Sequence, residues 1–226
     1  MTNVTPRWED AGTVAGFATG TPNEALVAFA RGIAAARGRP RVLDLGCGAA
    51  RNTIPIAACG CCAVGLDLSA PMLVAARERA VHAAPGADLR WVRAPMAPLP
   101  FRDGAFDLIV AHGVWNLARS DAEFRAAVRE AARVARPGAG LFLFTFSRST
   151  LAAQAAPVAG ERLTFTEFAG EPQVFLTRDD VVGELAAAGF VEAPPVALRE
   201  LNRGSPLSVA WTARRPAIWE GTFRRT

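Results

Sequence analysis

The residues with the most chemical potential lie between Arg41 and Asp67, "RVLDLGCGAARNTIPIAACGCCAVGLD". Gly46 and Gly48 directly follow the apolar run Val42, Leu43 and Leu45. Glycines at the carboxyl end of a buried strand let the backbone approach a ligand closely. Two carboxylates bracket that turn. Asp44, two residues before Gly46, would repel a pyrophosphate and attract an ammonium or sulfonium. Asp67 stands 21 residues after Gly46, close to the spacing that sets a carboxylate against a ribose diol. A dinucleotide fingerprint needs a third glycine at position 51, where this chain has Arg51. The pattern therefore favours an aminoacyl-ribosyl sulfonium over a dinucleotide, although ribose binding suits both.

A second constellation, His112, Trp115 and Asn116, comes directly after the apolar run "AFDLIVA". A polar cluster just past the carboxyl end of a central strand is where an α/β sheet puts its chemistry. An unperturbed imidazole titrates near neutrality, so His112 is a candidate base for an acceptor hydroxyl or amine; the plainer alternative is a backbone contact beside the ligand. The cysteines Cys47, Cys59, Cys61 and Cys62 invite a metal reading. Zinc sites draw on two separated pairs, commonly with histidine, and only His82 and His112 exist, so buried thiols and no metal are expected. Cys47, between the two glycines, would meet a ligand through its backbone alone.

Four segments, "VLDLGCGAARNTIPIA", "VGLDLS", "LPFRDGAFDLIVAHGVWNL" and "ARVARPGAGLFLFTF", occur in that order, followed later by "FLTRDDVVGELAAAGF". Together they resemble the class I S-adenosylmethionine-dependent methyltransferases. The resemblance implies a doubly wound, Rossmann-like α/β fold with a seven-stranded sheet, mostly parallel with an antiparallel edge strand. It also implies methyl transfer from S-adenosylmethionine to a small-molecule acceptor by in-line substitution, leaving S-adenosylhomocysteine. Carried onto this sequence, it assigns cofactor contacts to Asp44, Gly46, Cys47, Gly48, Asn52, Asp67, Leu68, Met72, Pro95, Met96, His112 and Gly113. Leu68 and Met72 would flank the adenosine, and backbone near Ala94 and Met96 would read the base. The acceptor side falls to Phe17, Trp115, Asn116, Arg148 and Phe168, with His112 as the catalytic candidate. Two departures stand out: Ala50 where family members usually carry a further glycine, and Pro95 where most place an acidic residue.

These side chains need elements to hold them. One domain over 1–226 is expected, with a helical cap over 1–39, a cofactor-binding core over 40–146, an acceptor-site insertion over 147–176, and a closing helix and strand pair over 177–226. Thr21-Pro22-Asn23 opens a helix whose inner face carries Leu26, Val27, Phe29, Ala30 and Ile33. Asn52 is placed to cap a short helix after the glycine turn, Ser69 the next one, Ser120 a third through a capping box with Glu123, and Thr177 a fourth. "LRWVR", "AFDLIVA" and "LFLFTF" read as strands, "FVEAPPVALREL" and "PLSVAWTARR" as the closing pair, and the tail "PAIWEGTFRRT" carries no clear period. Residues 147–176 show no long helical pattern, as expected of a binding loop or lid.

Composition narrows the partners. With 51% hydrophobic and 20% charged residues over 226 positions, the chain can bury a core and is not of the disordered class. The net charge of +4 comes from arginines alone, with no lysine, and they form no concentrated stripe, so nucleic acid is not an expected partner. No apolar run reaches the length of a membrane span and no leader pattern opens the chain, so a cytoplasmic protein with no membrane partner is expected. The oligomeric state is left open. Two rival functions share the turn: an NAD-dependent oxidoreductase, against which Asp44 and Arg51 count, and a degenerate S-adenosylmethionine-binding module for regulation or interaction.

Overall fold

The computed structural model describes residues 7–168, 170–202 and 216–226. Helix α1 (Ala11–Thr19) is capped by Asp10, and α2 (Glu24–Arg37) by Asn23, whose side chain accepts from Leu26 N. Strand β1 (Arg41–Leu45) leads through the glycine turn into α3 (Thr53–Ala58) and β2 (Cys62–Asp67). Ser69 caps α4 (Ala70–Ala83), after which β3 (Leu89–Arg93) and β4 (Phe106–His112) follow. Helix α5 (Asp121–Val134) precedes the long β5 (Ala135–Phe146), the hairpin β6 (Thr164–Phe165) and β7 (Gln173–Val174), and α6 (Arg178–Ala187). The chain closes with β8 (Phe190–Glu192), β9 (Arg199–Leu201) and β10 (Ile218–Arg225).

The main sheet runs β3-β2-β1-β4-β5-β10-β8, with β9 also paired to β10. Strands β3, β2, β1, β4 and β5 are mutually parallel, and β10 is antiparallel to β5, β8 and β9. The antiparallel strand thus lies one place in from the edge. It is the tail "IWEGTFRR", whose period is hidden because Glu220 and Thr222 are as buried as Trp219 and Phe223. The single strand expected in "FVEAPPVALREL" is split into β8 and β9 around Pro194 and Pro195, which have no N–H for a ladder. The expected partner strand "PLSVAWTARR" lies outside the described residues.

Each face of the sheet is covered because its central strands are apolar on both sides. Val42, Leu108, Val110 and Phe142 pack with Leu26, Phe29 and Ala30 of α2 and Ile56 of α3. Leu43, Leu45, Ile109, Leu141 and Leu143 pack with Phe124 and Val128 of α5 and Val181 and Leu185 of α6. This doubly wound arrangement brings the carboxyl ends of β1, β4 and β5 to one rim. Residues 147–176 cross that rim as a 3-10 turn, Arg148–Thr150, and the β6–β7 hairpin.

Candidate active site

The glycine turn is built by backbone geometry that side chains would prevent. Gly46 has φ 64°, and a Cβ there would stand 2.7 Å from Val114 Cγ2. Gly48 has φ 53°, and a Cβ there would enter the space between Phe17 Cδ1, 3.5 Å away, and Met72 Sδ, 3.9 Å away. Ala50 also takes a left-handed φ of 63°, which costs an alanine more than the glycine usual in the resembled family. Asp67 closes the turn: its Oδ2 accepts from Gly48 N and its Oδ1 from Ser69 N, both at 2.8 Å. Each oxygen keeps a further lone pair for a diol.

Asp44 is buried at the foot of the turn, its Oδ2 accepting from Thr53 Oγ1 at 2.6 Å. Burial pushes its carboxyl up from 3.8 to about 7, opposed by the Thr53 hydroxyl and reinforced by the charge of Asp67. Such a group welcomes a cation. Cys47 turns its thiol away from the rim toward Gly65, and burial raises that thiol well above its ordinary value, so its contribution is backbone and packing.

At the end of β4, the imidazole of His112 stacks on Phe144, with ring centroids 4.1 Å apart and planes 8° apart. Its Nε2 lies 3.3 Å from Asn23 Nδ2. The α2 cap orients that amide: Asn23 Oδ1 accepts from Leu26 N at 3.1 Å, so Nδ2 faces inward and donates both to His112 and to Glu220 Oε2 at 2.8 Å. The His112 lone pair is therefore on Nε2. Burial first, then the charge of Arg51, lower the imidazole to about 4, so it is neutral at ordinary pH. Glu220, buried on β10, is in turn held by Arg199 Nη2 at 2.7 Å. A polar chain thus ties β9, β10, α2 and β4 together across the rim.

Other expected residues divide. Phe17 packs edge-on against Trp8, 5.7 Å away, and sits above Gly48, while Met72 is buried beneath it. Gly113, with φ 73°, leaves open space beside His112. Leu68 is exposed, Pro95 is exposed and Met96 is half-buried against the core. Phe168 is half-buried, edge-on to Phe146 at 5.4 Å. Asn116 is buried with an unpartnered Oδ1 among the described residues.

Three expectations need correction. Asn52 occupies the cap position of α3 but does not cap it; its Oδ1 accepts from Asn23 N at 2.9 Å, because the nearby α2 start offers a donor in need of a partner. Trp115 is fully buried and edge-on to Phe124 of α5, which makes it a core anchor rather than an acceptor contact. Arg148 is consumed by its own loop, donating to Ala152 O and Ala155 O at 3.0 and 2.9 Å and lying over the Phe165 ring. Asn23 and Glu220 were not foreseen; both join His112 only through contacts across the sheet.

Residues 42–138 match the family model described as a methyltransferase domain. The demethylmenaquinone methyltransferase of Mycolicibacterium gilvum is 38% identical over 111 residues, covering 49% of this chain and 43% of that protein. The chain thus spans less than half the length of the curated relatives it matches. Among solved structures, an S-adenosylmethionine-dependent methyltransferase of Methanosarcina mazei shares the fold with a TM-score of 0.66 at 21% identity, covering 83% of this chain and 92% of that one. The 1,6-didemethyltoxoflavin-N1-methyltransferase of Burkholderia thailandensis, with its substrate and S-adenosylhomocysteine bound, gives 0.64 at 20% identity over 90% and 80%.

Proposed function

We propose, from a chain whose residues 42–138 match the methyltransferase-domain family model and whose sheet is that of the class I fold, that this protein moves a methyl group from S-adenosylmethionine to a small-molecule acceptor. The observation that carries the reading is the turn after β1, bent at positive φ through Gly46 and Gly48 and flanked by Asp44 and Asp67. The donor set fits the cofactor: a carboxylate for a cation at one end, a carboxylate for a ribose at the other, and glycines where a Cβ would intrude. Among the described residues no helix is long and apolar enough to cross a membrane.

Asp44 would face the ammonium, Asp67 the ribose hydroxyls, and Phe17 and Met72 would bound the space over Gly48. The chemistry supplied by bound S-adenosylmethionine is an electrophilic methyl on a sulfonium, which asks the protein mainly to align a nucleophile. Phe144, Phe146 and Phe168 offer half-buried rings on the acceptor side, which suits a flat apolar acceptor, in keeping with the demethylmenaquinone named for the relatives. His112 presents a neutral imidazole with its lone pair on Nε2, and can take a proton once Asn23 yields that atom. A pKa of about 4 makes it a weak base, matched to an acceptor that is already acidic.

The test is calorimetric titration with S-adenosylhomocysteine. Binding is expected for the wild type, and Asp67→Ala should weaken it by about 1.5 to 3 kcal/mol, the range for hydrogen bonds to a charged group. Binding of NAD alone, or an unchanged affinity in the variant, would contradict the reading.

A further inference from the structure

A cavity of about 280 Å³ opens where β4 and β5 begin, at the opposite edge of the sheet from the glycine turn. One wall is the outer flank of α2, where Ala28, Gly32 and Ala36 recur every fourth residue, and the other is the link 193–195 after β8. These side chains are too small to close the gap, and a Cβ on Gly32 would meet nothing within 4 Å. The floor is apolar. Phe29 and Ile33 of α2 settle onto Gly140, where a Cβ would fall 2.9 Å from Phe29 Cζ and 3.0 Å from Ile33 Cδ1.

Charge is uneven around this floor. Asp107 is the one carboxylate among the lining residues, and it is fully engaged: its Oδ1 accepts from Arg37 Nη1 at 3.1 Å and lies 2.8 Å from Arg136 Nη1, and its Oδ2 accepts from Arg41 N at 2.8 Å. Arg224 is different. It lies opposite Gly140 in the β5–β10 ladder, so its exposed side chain leaves the sheet on the face that α2 packs against. Among the described residues it makes no hydrogen bond and no ion pair, and the residues outside the described ranges contain no aspartate or glutamate. Three guanidiniums thus stand beside an apolar trough with a single carboxylate between them.

We propose that this groove is a second ligand site, for a small organic anion with a flat apolar body: the body lies between α2 and residues 193–195, and the anionic head meets Arg224 and Arg37. Apolar walls with a few polar groups gathered at one end are how small-molecule sites are built, and a guanidinium offers a carboxylate paired N–H donors. Walls on both sides suit a free acid rather than a membrane surface. The groove shares no lining residue with the glycine turn, so it stands apart from the methyl-transfer reading.

The test is calorimetric titration with 1-naphthoate, its neutral analogue 1-naphthamide and its cationic analogue 1-naphthylmethylamine, on wild type, Arg224→Gln and Gly32→Leu. Wild type should bind the acid with a Kd below about 1 mM, the amide about tenfold more weakly and the amine more weakly still. Arg224→Gln should weaken the acid about three- to fivefold, the scale of an exposed ion pair, and leave the amide unchanged. Gly32→Leu puts a side chain into the groove from an exposed helix position, so it should weaken acid and amide alike by about tenfold or more while keeping affinity for S-adenosylhomocysteine. Absence of wild-type binding, or an amine bound as tightly as the acid, overturns the assignment. Unchanged acid affinity in a Gly32→Leu protein with a native melt does so too, and if that variant does not fold, equal acid affinity in wild type and Arg224→Gln decides against the site alone. Sedimentation with phosphatidylglycerol vesicles without binding of the free acid would mark a membrane-facing surface instead.

Discussion

At the scale of single residues, two titrating groups make opposite statements about pH. Asp44 ordinarily ionises near 3.8 and is raised to about 7 by burial. The unfolded chain gives up this proton near 3.8 while the folded one keeps it to about 7, so its contribution makes stability fall as pH rises across that window and level off above it. A bound ammonium favours the ionised form, so affinity for S-adenosylhomocysteine should rise between about pH 6 and 8. Asp44→Asn should flatten both trends, measured as urea midpoints and calorimetric affinities across that range. His112, lowered to about 4, is neutral throughout the same range and should impose no pH dependence on turnover above about 5. His112→Ala should cut turnover by about 100-fold with cofactor affinity kept, if the acceptor must lose a proton. Loss of affinity with turnover intact would instead identify the residue as part of the cofactor pocket.

At the scale of elements, glycines separate tight contacts from free ones. Gly65 in β2 faces Trp91 and Cys47, and a Cβ there would fall 2.5 Å from Trp91 Cζ3 and 2.9 Å from Cys47 Sγ. Gly65→Ala should therefore destabilise by about 1 to 3 kcal/mol through overpacking, and because Cys47 is displaced, cofactor affinity should fall with it. Gly32, exposed on α2 with nothing near its missing Cβ, is the contrast: Gly32→Ala should stabilise by about 0.5 to 1 kcal/mol. Urea denaturation of the pair measures both. Caps obey the same logic. Thr177 and Asp180 form a complete box, whereas Glu123 Oε2 accepts from Arg119 N and leaves Ser120 to cap α5 alone.

At the scale of the whole molecule, β10 is what makes the sheet one unit. It pairs with β5 from Gly140 to Phe146 and with both β8 and β9, and it carries Glu220 to the rim where Asn23 and Arg199 meet it. A chain ending at 217 would expose the long apolar edge of β5 and strip Asn23 of its carboxylate partner. Such a chain should accumulate in the insoluble fraction; a soluble product with a cooperative melt near that of the full chain would show that β10 is dispensable.

The sequence by itself determined the fold class and the strand-turn-helix-strand unit that holds Gly46, Gly48, Asp44 and Asp67, because the geometry of that unit is local. It also determined the ordinary caps, since Asn23, Ser69 and Thr177 act within a turn of their own helices. Only the tertiary structure decided what lies across the sheet. Asn23 meets Glu220 over 197 residues of chain, the tail strand enters between β5 and β8, and Trp115 and Arg148 turn into packing. Those outcomes depend on which side chains the sheet order brings face to face, and spacing along the chain carries no record of that.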